Sequence, residues 1–214
     1  IMAKADGHCR HKKQSGGAGQ FGEVFLRIEP LARGAGFEFV NDVHGGTIPT
    51  QFIPAVEKGI QDVLASGPLA SFPVHDVRVI VYDGKSHPVD SKEIAFVTAG
   101  RKAFIDAISK ARPVLLEPIV TAEVTVPDTY IGAVTGDLSS RRGQITGTRG
   151  LSAGISVVAA IVPLSELRDY QTRLKSITGG HGSYSIELSH YEPVLPHTQV
   201  ELIKEYKVHS KEED

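Results

Sequence analysis

Residues 8–22, HCRHKKQSGGAGQFG, change pattern twice within fifteen positions. Basic and polar residues alternate from His8 to Gln14. Gly16, Gly17 and Gly19 then interrupt the run, and an apolar alternation begins at Phe21. The pattern is that of two strands joined by a glycine-rich tip. Glycine removes side chains from the turn and tolerates positive φ, so backbone can approach another surface closely. Arg10, Lys12 and Lys13 set positive charge beside the tip. Two readings stay open: a tip that touches a phosphate backbone, and a solvated hairpin.

Outward from this stretch the chain reads as alternating strands and helices. Ala3 to Gln14 is a polar, edge-like strand. Phe21 to Leu31 sets Val24, Leu26 and Ile28 against Glu23, Phe25 and Arg27, the period of a half-buried strand. A short strand follows over Phe37 to Val43. Phe52, Ile53, Val56, Ile60, Val63 and Leu64 then share one helical face, with Pro54 in the first turn and Ser66-Gly67-Pro68 as the stop. Val77, Val79 and Val81 mark the next strand, and Asp83-Gly84 opens a second tip, DGKSHPVDS. Asp90 or Ser91 suits a helix cap. The helix beyond it carries Ile94, Val97, Gly100, Phe104, Ala107, Ile108 and Ala111 on one face, Gly100 allowing close packing on a sheet, and Pro113 stops it. This half is β-β-β-α-β-α, a sheet with two helices on one face.

The proline-flanked segment from Val114 to Pro118 is the natural boundary. A strand over Ile119 to Val126 leads into a helix from Pro127-Asp128 bearing Tyr130, Ile131, Val134 and Leu138. RRGQITGTRG, Arg141 to Gly150, is a basic strand and turn. Ile155 to Val162 is an apolar strand. Ser165 suits the cap of a helix with Leu167, Tyr170, Leu174 and Ile177, closed by Gly179-Gly180, and Tyr184 to Tyr191 is the last strand. The order β-α-β-β-α-β is that of a ferredoxin-like domain. Val200 to Val208 reads as a short terminal helix, and the KEED end as a frayed tail. The fold class is therefore α+β in two domains.

Composition narrows the chemistry. A net charge of −2 over 214 residues exerts no global pull on nucleic acid, so such binding must come from local patches. The single cysteine, Cys9, excludes an internal disulfide and suits a reducing compartment. No apolar run approaches the ~20 residues of a membrane span. Ile1 ahead of Met2, with a strand starting almost at once, suggests a piece of a longer chain. Gly17 to Gly22 fits the spacing G-x-G-x-x-G, but between two strands rather than between a strand and a helix. His8, Cys9 and His11 cluster, yet on a strand only Cys9 and His11 share a face, and two ligands do not hold a structural zinc. His87 sits at the apex of a loop framed by Gly84, Pro88 and Asp90. It is either an exposed turn histidine or an imidazole that stacks on a base or bonds a sugar-phosphate. Arg141 and Arg142, adjacent on a strand, point to opposite faces, which leaves one exposed for a phosphate or for solvent.

Five segments carry a family resemblance: KKQSGGAGQFGEV, GGTIPTQFIPAVEKGI, HPVDSKEIAF, PVLLEPIVTAEVTVP and GDLSSRRGQITG. In order and spacing they resemble the C-terminal part of elongation factor G, the translational GTPase of ribosomal translocation. The resemblance implies an arm domain over 1–116 with a left-handed βαβ crossover. A ferredoxin-like domain over 117–198 follows, then a helix and tail over 199–214. It implies that Gln14, Ser15, Gly16, Gly17 and His87 form a tip that meets transfer RNA and messenger in the decoding region. It also implies that Arg141 and Arg142 face ribosomal RNA at the large-subunit factor-binding site. No cofactor, metal or catalytic residue is expected in this chain; GTP and magnesium belong to an N-terminal domain of the parent. The implied setting is a monomer in the cytoplasm, on the ribosome, with no membrane. Position 18 is alanine where the family commonly reads G-G-R-G-Q, which removes one tip charge. A paralogue acting in ribosome recycling or protection is the alternative. A small-molecule kinase-like fold and a ligand-binding regulatory domain are the more distant ones.

Overall fold

The fold is seen in a computed structural model, which describes the backbone of residues 1–14 and 19–212 and side chains through residue 206. The chain divides into two compact units, Ile1–Val114 with Pro196–Asp214, and Leu115–Leu195.

In the first unit, β1 (Ala5–Lys13), β2 (Gln20–Pro30) and β3 (Phe37–Asn41) precede α1 (Ile53–Ser66), β4 (Val77–Lys85) and α2 (Glu93–Lys110). The sheet order is β1-β2-β4-β3. β1 pairs antiparallel with β2, β2 antiparallel with β4, and β3 parallel with β4, so α1 is the crossover between two parallel neighbours. Strand alternation divides the sheet cleanly. Val24, Leu26, Ile28, Val77, Val79 and Val81 are fully buried with α1 and α2, while the intervening residues point to the other face.

The α2 stripe is broader than the expected one. Gly100, Phe104, Ala107, Ile108 and Ala111 are buried as expected and Val97 packs against the core; Ala95, Phe96, Ala99 and Ala103 are buried as well, whereas Ile94 is 53% exposed. The small side chains of Ala95, Ala99 and Ala103 let α2 lie close to its neighbours. The part expected of Gly100 also changes. A Cβ on Gly100 would stand 2.7 Å from the Val56 carbonyl oxygen, so this glycine brings α2 onto α1, not onto the sheet. Gly7 makes the approach of sheet to helix, facing Ala103 and Ala107 of α2.

In the second unit, β5 (Leu116–Pro127), α3 (Ile131–Ser140), β6 (Gln144–Gly150), β7 (Ile155–Pro163), α4 (Tyr170–Thr178) and β8 (Ser183–Pro193) form an antiparallel sheet ordered β6-β7-β5-β8. This is the ferredoxin-like plan. Val120, Ala122, Val124 and Val126 of β5 pack against Val134, Leu138, Tyr170 and Leu174 of the two helices. α4 ends on Gly179 in the left-handed conformation, as its Gly-Gly pair implies.

Two helix starts depart from the capping pattern. The residue before α2 is Lys92, without a side-chain cap, and Ser91 bonds elsewhere. Ser165 lies in a short 3-10 turn and donates its hydroxyl to Glu117 at 3.4 Å. In both cases a tertiary acceptor takes the hydroxyl that local sequence would give to the helix. α5 (Pro196–Glu212) starts earlier than the sequence suggests and belongs with the first unit, where Gln199 Nε2 donates to the Pro113 carbonyl at 3.3 Å. The last two residues of the KEED tail lie outside the described residues.

Candidate nucleic-acid interface

The sheet face turned away from α1 and α2 carries Asp6, His8, Arg10 and Lys12 from β1, opposite Arg27, Phe25, Glu23 and Phe21 from β2, with Lys4 just ahead of β1. Most of it is charge-compensated. Lys4 meets Glu29 at 2.7 Å, Arg27 meets Asp6 at 3.1 Å, Arg78 meets Glu38 at 2.9 Å, and His8 meets Glu23 at 2.9 Å while stacking on Phe25. Toward the tip the pairing stops. Arg10, Lys12 and Lys85 have no carboxylate partner among the described residues, and all three are exposed. Arg10 instead lies over the Phe21 ring, 5.4 Å from its centroid.

These cations line a shallow cleft of about 200 Å³ at the tip end of the face. Gln14, Gln20 and Ser86 add neutral polar groups, and His87 and Asp90 complete the wall. The cleft exists because β4 continues through Lys85, past the Asp83-Gly84 pair expected to open the loop. A bulge at Tyr82 of β4, opposite Phe25 and Leu26 of β2, takes up the extra residue and keeps Asp83 and Lys85 in register with Phe25 and Glu23.

The 86–91 loop folds back onto β2. The Phe21 N–H donates to the Asp90 carbonyl at 2.9 Å, and the Ser91 hydroxyl donates to the Phe21 carbonyl at 3.0 Å. The same hydroxyl accepts the His87 N–H at 2.8 Å. His87 therefore stands half exposed, 50% by side chain, its ring 6.1 Å from that of Phe21. The absence of a side chain at Gly19 lets the Asp90 carboxylate lie against the start of β2. Sequence reasoning found His87 but missed the residues that hold it. Ser91 and Phe21 look like a cap and a core residue, and only the pairing of distant segments shows their use.

Of the expected tip residues, Gln14 is exposed and lines the cleft with His87. Ser15, Gly16, Gly17 and Ala18 lie outside the described residues. The glycine motif reading falls partly on these positions; β1 and β2, which flank it, pair as an antiparallel hairpin. Among the described residues no group of three or more His, Cys, Asp or Glu could hold a metal. His8 and His11 point to opposite faces, and His11 bonds Gln20 at 3.0 Å. Burial pushes the Cys9 thiol up from its ordinary value, the reverse of what a nucleophile needs.

Arg141 and Arg142 are not on a strand. They close α3, and Arg142 has φ +60. Arg141 is 16% exposed; it bonds Asp137 at 2.9 Å, Asp169 at 2.8 Å and the Glu166 carbonyl at 2.6 Å, and lies over Tyr170. Arg142 grips Glu117 with both terminal nitrogens, at 2.6 and 3.2 Å. Hydrogen bonds donated to Asp169 and Glu117 raise the respective guanidinium pKa values, so both groups remain charged and engaged within the unit. The strand rule that left one of them free does not apply at a helix end.

The family model for elongation factor G, domain IV, matches residues 1–112, and that for the elongation factor G C-terminus matches residues 114–202. The chain belongs to the elongation factor G family. Elongation factor G of Aquifex pyrophilus is 51% identical over 205 residues, which are 96% of this chain and 29% of that protein. A crystal structure of a protein from Thermus thermophilus superimposes with a TM-score of 0.84 at 42% identity, over 97% of this chain and 31% of the other. The chain thus spans less than a third of the length of the relatives it matches. In family terms the tip cleft lies in the domain IV part, and the Arg141 and Arg142 clusters in the C-terminal part. Among the described residues no helix is long and apolar enough to cross a membrane.

Proposed function

We propose that this chain is the ribosome-contacting part of a translational GTPase, and that its tip meets the transfer RNA and messenger during translocation. The observation that carries this is the change in charge pairing along one sheet face. Cations are matched by carboxylates over most of it, whereas among the described residues Arg10, Lys12 and Lys85 form no ion pair around the cleft beside His87 and Asp90. Unmatched cations beside a concave polar surface fit a polyanion better than they fit solvent. Near-neutral overall charge agrees with an arm that is positioned by the rest of a larger factor. GTP binding, magnesium and hydrolysis belong to the remainder of the parent, which works as a monomer in the cytoplasm. The second unit meets large-subunit ribosomal RNA by surfaces other than Arg141, whose guanidinium is enclosed by its own domain.

The test uses the full-length factor. His87→Ala slows translocation while ribosome-stimulated GTP hydrolysis persists. Lys12→Gln and Lys85→Gln each weaken ribosome binding and lower the slope of log affinity against log salt by about one unit per lost phosphate contact. Equal loss of hydrolysis and translocation in His87→Ala, or an unchanged salt slope in both lysine variants, refutes the assignment.

A further inference from the structure

We propose that the 86–91 loop holds His87 with Nδ1 as acceptor and the ring proton on Nε2, so that the tip offers RNA one directed hydrogen-bond donor, with Ser91 as its positioning residue. The proposal rests on the tip reading above and adds the chemistry of the contact. His87 Nδ1 lies 3.3 Å from the Val89 nitrogen and 3.2 Å from the Asp90 nitrogen. Backbone N–H groups only donate, so Nδ1 accepts and the ring proton resides on Nε2. The competing arrangement places the proton on Nδ1, aimed at Asp90 Oδ2 3.4 Å away. Charge-assisted bonds of this type settle at ~2.7–2.9 Å. That arrangement would also turn two N–H groups toward a third, and the acceptor geometry prevails.

Ser91 makes the geometry durable. Its hydroxyl accepts the His87 N–H and donates to the Phe21 carbonyl, and its own N–H donates to the His87 carbonyl at 3.1 Å. The imidazole is thereby tied to β2, and Nε2, the ring nitrogen left without a partner among the described residues, serves as the donor. The matching ligand atom is an acceptor oxygen of RNA, a ribose 2′-oxygen or a phosphate oxygen.

Two measurements on the full chain decide it. Imidazole ¹⁵N NMR at neutral pH shows Nε2 protonated and Nδ1 as the acceptor in the unbound protein. Ser91→Ala moves this population toward an unbiased mixture, and Ser91→Thr restores it. Binding to a short RNA duplex then separates two amides. His87→Gln, whose amide reaches the Nε2 position, stays within about threefold of the parent, and His87→Asn, which reaches only Nδ1, loses about tenfold. Duplexes with 2′-deoxy or methylphosphonate substitutions show which oxygen is read. A proton on Nδ1, indifference of the ring to Ser91→Ala, or His87→Asn binding as well as His87→Gln overturns the proposal. If the parent chain fails to bind RNA at all, the tip reading falls instead, and the NMR result still decides the tautomer.

Discussion

Alanine placed at Gly59, Gly100 and Gly136 should change stability with opposite signs, although all three positions are helical. At Gly100 of α2 the new Cβ would stand 2.7 Å from the Val56 oxygen and 3.1 Å from its Cα, against an ordinary contact of 3.4 Å or more. The two helices must part by about 0.7 Å there. At Gly59 of α1 the Cβ would overlap the Val97 carbonyl oxygen and lie 2.9 Å from its carbon and 3.1 Å from the Arg101 nitrogen. Those atoms are backbone, so no side-chain rotation relieves the clash. Overpacking costs ~1–3 kcal/mol, against a helix-propensity gain of about 1 kcal/mol for Gly→Ala. The expected net losses are about 1 kcal/mol at Gly100 and about 2 kcal/mol at Gly59. Gly136 in α3 has nothing within 4 Å of its would-be Cβ, so Gly136→Ala keeps the propensity gain and stabilises by ~0.5–1 kcal/mol. Native-state amide hydrogen exchange on the whole chain reads each helix separately. Protection of α1 and α2 should fall in the first two variants, and that of α3 should rise in the third. A Gly59→Ala protein with α1 as protected as in the parent would refute the close-approach argument.

Acid should weaken the first unit through Asp106. Its hydrogen bond from Lys110, aided by the His8 N–H, holds this carboxyl below its usual range. The folded state then binds fewer protons than the unfolded one, so this stabilisation is present above about pH 4 and is lost as pH falls through the folded value. Acid titration of stability should be flatter in Asp106→Asn, and an identical acid limb would contradict the assignment. Alkali should act on the second unit through Tyr170, which burial pushes up to about 12. An acid whose folded pKa is raised contributes stability below its unfolded pKa of about 10 and loses it as pH rises toward 12. The Tyr170 hydroxyl is buried with no hydrogen-bond partner among the described residues. Tyr170→Phe should match or exceed the parent in urea at neutral pH and should remove part of the loss above pH 10. A clear drop at neutral pH would show that the hydroxyl contributes to the fold.

The alternation of Val24, Leu26 and Ile28, the helical stripe from Ile53 to Leu64 and the βαββαβ order of the second half already state which faces are buried. They are legible because each depends on a period of two or 3.6 along one segment. In the second helix of the first unit the pattern marks Gly100, Phe104, Ala107, Ile108 and Ala111 but puts the exposed Ile94 on the stripe and leaves out the buried Ala95, Phe96, Ala99 and Ala103, because the burial of small residues depends on what packs against them. The same limit governs the candidate site. His87 and the basic residues near the tip stand out in the sequence as residue types in a loop. That the cations of one face are paired along most of its length and, among the described residues, unpaired at its end depends on which strands lie side by side. Ser91 bonds a strand seventy positions earlier, and Arg141 and Arg142 are held by carboxylates on α3 itself and on two distant segments. Local periodicity fixes the elements and their buried sides because those depend on near neighbours. The partner of a hydroxyl or a guanidinium is a choice among distant groups, and only the packed chain makes it.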